Sequence, residues 1–279
     1  MSDEIVELED FALELARTAG GIAHAHFRQP ITVENKSANA FDPVTNADRA
    51  IERVLRTAIE ARYPDHGIVA EEEGERPGAG EYTWFIDPID GTRAFMTGSP
   101  LWGTLIGLSR RAPPFGGYQG APPFGDYQGA QPLFGLLVQP VLEEVFFGGP
   151  SGSWLIKAER RDRLKSRGCK TLATAMLAST HPDMFNGERA AAFRALADQC
   201  LLTRFGGDCY NYAMLAAGYL DLVVESQLKP YDIVPLIPIL EGAGCIVTDW
   251  GGRPPLNGGD VVAAGSRELH KAALATLRS

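Results

Sequence analysis

The sequence predicts a mixed α/β fold, and three features carry that reading. Apolar residues recur at helical spacing in two runs before residue 65. Short, apolar, nearly uncharged runs follow between residues 84 and 158, and beyond residue 172 strand-like and helix-like runs alternate. With 279 residues, 45% hydrophobic and 22% charged, the chain suits one large domain or two intimately joined ones, with ample core.

Residues 7–28 place Leu8, Phe11, Leu15, Ala19, Ile22, Ala23 and Phe27 at helical spacing, and Pro30 ends the run. His24 and His26 near its end read as solvated or dipole-compensating residues without chemistry. Residues 32–36 read as a short strand. The segment Asp42-Pro43-Val44-Thr45-Asn46 then resets the chain for a second helix to about Arg62, with Ile51, Val54, Leu55, Ala58 and Ile59 inward and Pro64 closing it. Asp48 lies in its first turn, where the helix dipole favours an acid, but beside the inward face.

Residues 100–108, 134–147 and 154–158 read as strands. Between the first two stands a tandem duplication, Ala112 to Gly120 and Ala121 to Gly129, whose units differ only at Gly117 versus Asp126. Its Pro/Gly richness reads as a protruding surface loop without a core, an incidental insertion of small closure cost, with aromatic residues available for subunit packing. The basic stretch 160–167 reads as a solvated connection with no aromatic stacking platform. Residues 172–179 read as a strand, 188–199 as a helix, 206–218 as a turn entering a helix that Gly218 closes, and 220–225 as a strand ending in an acid. Asp232 stands at the start of a further helical run to Leu240, as its N-cap, with Pro238 expected to kink it. A strand over 245–248 follows.

The chemistry concentrates in Trp84-Phe85-Ile86-Asp87-Pro88-Ile89-Asp90-Gly91-Thr92. Three large apolar residues read as the end of a buried strand, and the run stops at two acids spaced i, i+3 about a proline. Unpaired carboxylates at a buried strand end are costly, so a pair of them implies a cation or a metal. Pro88 restricts Asp87, while Gly91 and Thr92 can turn backbone N–H groups toward an anion. Taken alone, Asp-Gly-Thr reads as a capped turn. The further acids Glu71, in Glu71-Glu72-Glu73 after Ile68-Val69-Ala70, and Asp232 change that balance. Together with Asp87 and Asp90 they form an all-oxygen set suited to Mg2+ or Mn2+ rather than zinc.

Other classes are disfavoured by composition. A net charge of −9 and the lack of a Lys/Arg stripe argue against nucleic acid and anionic membrane as partners. Cys169, Cys200, Cys209 and Cys245 show no C-x-x-C spacing and read as reduced thiols. The N-terminus opens with Asp3, Glu4, Glu7, Glu9 and Asp10, unlike a signal peptide, and no apolar run reaches spanning length, so the expected location is the cytoplasm.

The motif Asp87 to Thr92, the pair Glu71-Glu72, and Tyr231-Asp232 followed by Glu241-Gly242-Ala243-Gly244 resemble the metal-dependent inositol monophosphatase family, in order over nearly the whole chain from about Phe11. The resemblance implies a layered α-β-α-β-α sandwich of the inositol monophosphatase and fructose-1,6-bisphosphatase type. Residues 1–150 would supply a helix pair, an antiparallel sheet and most metal ligands, and residues 151–279 would supply Asp232 and the substrate contacts, with the active site between. It implies two or three Mg2+ ions, or Mn2+, held by Glu71 with Asp87 and the Ile89 carbonyl, and by Asp87, Asp90 and Asp232. It further implies that Gly91 and Thr92 hold the phosphate, that Asp48 hydrogen-bonds Thr92 and the two help deprotonate the attacking water together with Glu71, and that phosphate leaves without a covalent intermediate. Relatives generally carry a short turn where this chain has its duplication, and are commonly homodimers. The haloacid dehalogenase phosphatases space their aspartates D-x-D, unlike the D-x-x-D here.

For the substrate, the family's inositol enzymes typically have a small residue where this chain has Asp208, and Glu225 matches a second contact position. Two carboxylates suit a cation better than a neutral polyol. Gly206-Gly207-Asp208-Cys209-Tyr210 and the run from Val224 to Asp232 resemble the family's histidinol-phosphatase branch, so Asp208, Glu225 and Asp232 are the expected substrate contacts. As an N-cap, Asp208 would need no substrate. Hydrolysis of inositol 1-phosphate or of a 3′-phosphoadenosine compound would use the same metal ligands. Outside catalysis, a metal-dependent phospholigand-binding module would share them too.

Overall fold

A computed structural model describes residues 3–30, 33–35, 43–111 and 126–279. Most of the duplicated insertion, residues 112–125, lies outside the described residues. The described chain opens with α1 (Asp3–His26), the short antiparallel pair β1 (Val33–Asn35) and β2 (Pro43–Thr45), and α2 (Asn46–Arg62). The next strands are β3 (Gly67–Ala70), β4 (Gly74–Arg76) and β5 (Tyr82–Asp90), then the short helix α3 (Thr92–Met96). They are followed by β6 (Gly103–Arg110), β7 (Gln131–Gln139), β8 (Glu144–Gly149), β9 (Gly152–Lys157) and β10 (Arg160–Arg163). Apart from β1 and β2, these strands form one eight-stranded sheet in the order β10-β9-β8-β7-β6-β5-β3-β4, antiparallel except for the parallel pair β3 and β5.

Beyond residue 163 the chain alternates. Strand β11 (Met176–Ser179), helix α4 (Glu188–Ala197), strand β12 (Leu202–Phe205), helix α5 (Asp208–Ala216) and strand β13 (Leu222–Leu228) lead into the helices α6 (Pro230–Ile233) and α7 (Leu236–Gly242). The chain then runs through β14 (Ile246–Asp249), β15 (Gly259–Ala264) and α8 (Arg267–Leu277). The five strands order as β12-β11-β13-β15-β14, with β12, β11 and β13 parallel.

Three apolar clusters stack these parts. Leu8, Phe11, Leu15, Ile51 and Leu55 of α1 and α2 cover Trp84, Ile86 and Phe134 on one face of the large sheet. Phe85, Leu105 and Phe146 on its other face meet Tyr212, Leu236 and Leu240 of α5 and α7, which also meet Val223, Val261 and Ala263 of the smaller sheet. The far face of that sheet is closed by Phe193 and Leu196 of α4 and Leu269 and Leu277 of α8. The layers are therefore α-β-α-β-α, the sandwich expected.

The middle layer rests on a row of glycines. Gly107, Gly135 and Gly148 are lateral partners across β6, β7 and β8. A Cβ on Gly135 would lie 1.8 Å from the Pro235 carbonyl oxygen, one on Gly107 2.8 Å from Pro235 Cα, and one on Gly148 2.3 Å from the Ile239 nitrogen. No side chain fits between α7 and this stripe, so the 230–242 segment lies on the sheet backbone itself.

Several sequence expectations are corrected. The strand carrying Trp84 does not stop at the acids but continues to Asp90. Residues 134–147 hold parts of two strands joined by a turn. The helical run after Asp232 breaks into α6 and α7 at Val234 and Pro235, not at Pro238, which is the third residue of α7 and has no intrahelical N–H bond to lose. Residues 160–163 of the basic stretch form an edge strand, because Arg161 stacks 4.6 Å above Trp154 and 5.9 Å above Phe147, and Arg163 lies 5.3 Å above Trp154. An aromatic platform does accompany these arginines. Tyr127, at the end of the second duplicated unit, is buried against Phe85, donates its hydroxyl to Glu75 and takes Asn257 through its backbone N–H, so that end is tied into the core. No helix among the described residues is long and apolar enough to cross a membrane.

Gly135→Ala is expected to cost about 3 kcal/mol, because the new methyl has only backbone to displace. Urea unfolding should show an earlier midpoint at unchanged slope, and a wild-type midpoint would refute the close seating of α7.

Candidate active site

Side chains three apart on a regular strand point to opposite faces. In β5 the pairing with β6 shifts register between Asp87 and Asp90, and Thr104 donates its hydroxyl to the Pro88 carbonyl inside this irregularity at 2.7 Å. The bulge turns both acids to one side. Asp232 joins them from the opposite half, and carboxylate oxygens of Asp87, Asp90 and Asp232 lie within 4.8 Å of one another. Asp232 is the third residue of α6 rather than its N-cap. Its Oδ2 accepts the Lys229 N–H at 2.8 Å. Asp90 is held from the same half, since the Cys209 N–H at the start of α5 donates to its Oδ1 at 2.7 Å.

Glu71 follows β3, which runs parallel to β5 with Ala70 beside Ile86, so the chain delivers it next to Asp87. It stands outside the 4.8 Å group but lines the same cavity. Its turn is fixed by Glu52, fully buried on α2, which accepts the Glu72 and Glu73 N–H groups at 2.7 Å each and the Arg56 guanidinium at 2.8 Å. Sequence reasoning missed this pair; its signal is the i, i+4 acid–base spacing on the helix face that also carries Asp48.

Asp48 is fully buried, as its place beside the inward face suggested. Its expected bond to Thr92 is not formed: Asp48 Oδ2 accepts the N–H and hydroxyl of Thr45 in a capping box, and Thr92 donates its hydroxyl to the Ile89 carbonyl at 3.1 Å. The nearer threonine, three residues away, satisfies the helix start and captures the carboxylate. Asp48 Oδ1 and Asp87 Oδ1 are both buried without a hydrogen-bond partner. Gly91 adopts φ 90° and a Cβ there would lie 3.1 Å from the Leu101 carbonyl oxygen, so only glycine makes this turn without strain. Thr92 opens α3, where N–H groups lack intrahelical acceptors.

A cavity of about 710 Å³ gathers Glu71, Asp87, the Ile89 segment, Asp90, Gly91, Thr92, Asp208, Glu225 and Asp232. Every expected site residue except Asp48 thus lines one space, which Arg93, Thr180, His181, Asp183 and Gln227 also border. Asp208 follows Gly206 and Gly207 with φ 44°, a left-handed backbone rare outside glycine, and this aims an acid that could have capped a helix unstrained.

Burial, then the neighbouring carboxylates, raises the pKa of Asp87 and Asp232 well above the ordinary range. Burial likewise lifts Asp90 to about 7, against the Cys209 N–H, and Asp48 to about 6, against its bonds to Thr45. A cluster that resists ionisation, offers only oxygen donors and leaves the buried Asp87 Oδ1 unpartnered fits a hard divalent cation.

A family model of the inositol monophosphatase family matches residues 4–279. The chain belongs to the inositol monophosphatase family. Among relatives of this family, the bifunctional phosphatase IMPL2, chloroplastic, of Arabidopsis thaliana is 36% identical over 97% of this chain and 76% of its own length. A histidinol-phosphatase of Chlorobaculum parvum is 29% identical, over 95% of each chain. A solved inositol monophosphatase from Zymomonas mobilis is 35% identical, covers 100% of both chains and superposes with a TM-score of 0.81. Members of the inositol monophosphatase family are metal-dependent phosphatases acting on small phosphate esters, and the group Asp87, Asp90 and Asp232 offers the oxygen donors with which a metal ion could be held.

Acids whose folded pKa lies above the unfolded value contribute most stability below the unfolded pKa, near 4, and lose it as pH rises through the folded one. Chelator-treated protein is therefore expected to lose on the order of 5 °C in Tm between about pH 5 and about pH 8, and millimolar Mg2+ at the higher pH to restore it. A Tm rising over that interval would contradict the assignment.

Proposed function

We propose that this chain is a Mg2+-dependent phosphomonoesterase whose preferred substrate is histidinol phosphate. One observation carries the choice of substrate: beyond the metal-binding acids, the cavity holds Asp208 and Glu225, with Asp183 at its border. Burial lifts the pKa of both Asp208 and Glu225 to about 7, and a cationic ligand would draw them back to the charged form. Histidinol phosphate presents an ammonium and an imidazole, each able to face a carboxylate.

Glu71, Asp87, the Ile89 carbonyl, Asp90 and Asp232 would hold the cations. Bound Mg2+ supplies a water of lowered pKa and neutralises charge developing on the ester. The backbone N–H groups of Gly91 and Thr92 hold phosphate oxygens, Glu71 receives the proton of the attacking water, and Asp48, behind Glu71, keeps its free Oδ1 as the next acceptor. The reaction is a direct displacement at phosphorus. Expected to be a cytoplasmic homodimer, the enzyme would serve histidine biosynthesis.

A second reading, inositol-1-monophosphatase, is favoured by the likeness to the Zymomonas mobilis structure over the full length of both chains.

Phosphate release measured in parallel with Mg2+ from histidinol phosphate, inositol 1-phosphate and an adenosine bisphosphate decides the matter. The expected result is a kcat/KM for histidinol phosphate at least about tenfold above the others, and Asp208→Asn should raise KM for that ester about tenfold while moving inositol 1-phosphate much less. Faster turnover of inositol 1-phosphate would establish the second reading. Asp90→Asn should lower kcat about a thousandfold or more with the melting temperature retained, and full activity in that variant would remove the metal scheme altogether.

A further inference from the structure

Glu225 on β13 is 2% exposed, yet it lines the cavity. Its Oε1 accepts two bonds from one residue, the Thr180 N–H at 3.0 Å and the Thr180 hydroxyl. Its Oε2 accepts the Tyr212 hydroxyl at 3.0 Å. A carboxylate offers about four lone-pair directions. Three are filled from the protein, and the fourth lies on Oε2. Thr180 borders the cavity, whereas Tyr212 is buried behind it, 2% exposed, on the central layer of the sandwich. Burial beside Glu225 pushes the Tyr212 hydroxyl well above its ordinary pKa, so the phenol only donates.

Tyr212 stands one turn after Asp208 on α5, and between them the Cys209 N–H holds Asp90. A single short helix thus fixes Asp90, the strained Asp208 and the hydroxyl that Glu225 accepts.

We propose that Tyr212, with Thr180, is a positioning residue for substrate selection: the two lock Glu225 as an acceptor with one open direction, which receives a cationic nitrogen of the substrate. The role assigned to that nitrogen rests on the histidinol phosphate reading; the dependence of Glu225 on Tyr212 does not. Without the phenol, Oε2 gains a second open direction and the carboxylate loses its fixed plane, so binding suffers while the distant displacement at phosphorus does not. Thr180 defines the plane from the other side and contributes its hydroxyl only where β11 ends beside β13.

The test is a kinetic double-mutant cycle on Tyr212→Phe and Glu225→Gln, read as KM and kcat for histidinol phosphate and inositol 1-phosphate. Each single variant is expected to raise KM for histidinol phosphate about tenfold with kcat within about threefold, to erode the preference over inositol 1-phosphate, and to leave the double variant no worse than Glu225→Gln alone. Multiplying effects, or a loss confined to kcat or melting temperature, would overturn the positioning role. If wild type does not favour histidinol phosphate, the substrate reading fails by itself, and the same cycle on the ester hydrolysed fastest still decides for or against Tyr212. Should Tyr212→Phe fold poorly, Thr180→Val replaces it, with Thr180→Ser expected to restore the wild-type KM; a Thr180→Val KM equal to wild type would count against the proposal.

Discussion

Three carboxylates, Asp87 buried and Asp90 and Asp232 half-buried, have oxygens inside 4.8 Å of one another and cannot all carry charge at little cost without a counter-ion, and much of the surrounding structure keeps them there. The bulge of β5 turns Asp87 and Asp90 to one side, the Cys209 N–H steadies Asp90, and the Lys229 N–H steadies Asp232. Each of these two backbone bonds takes up one carboxylate oxygen. The electrostatic penalty of this place is relieved by protonation at low pH, and where the acids are charged it would be relieved by a divalent cation.

Bringing Asp232 to the other two is a problem of packing. It comes from a segment some 140 positions further along the chain, and it arrives because α7 lies directly on the backbone of β6, β7 and β8, where Gly107, Gly135 and Gly148 form a lateral row. With larger residues there, the middle layer would rise off the sheet and carry Asp232 with it. Helix α5 adds the second link between the halves, joining Asp90 to Asp208 and, through Tyr212, to Glu225. The acidic cluster and the cavity wall that carries Asp208 and Glu225 thus share one support.

What could be read from sequence follows the range of the interactions. The acids about Pro88 and the amphipathic faces of α1 and α2 are local patterns, and they pointed to an acidic cluster and to the opening helices that the structure contains. The glycine row is invisible in sequence, because only strand register aligns positions 107, 135 and 148. Strand β12 was missed since Leu202 and Phe205 are exposed at a sheet edge and show no buried alternation. The pairing of Asp48 went to Thr45 rather than Thr92 because a capping box three residues away competes with any distant partner, and a family likeness does not rank the two. Glu52 and Arg56 went unread because their i, i+4 spacing occurs on many helices, and only the turn at Glu72 and Glu73 shows why they are buried.

The central claim, that these acids from two halves of the chain form a divalent-cation site, is tested most directly by titrating chelator-treated protein with Mn2+ and counting bound ions by electron paramagnetic resonance. The account predicts at least two ions per chain in the wild type and the loss of at least one in Asp232→Asn, with the fold intact. Binding in Asp232→Asn equal to the wild type, or no tight binding in either, would contradict it.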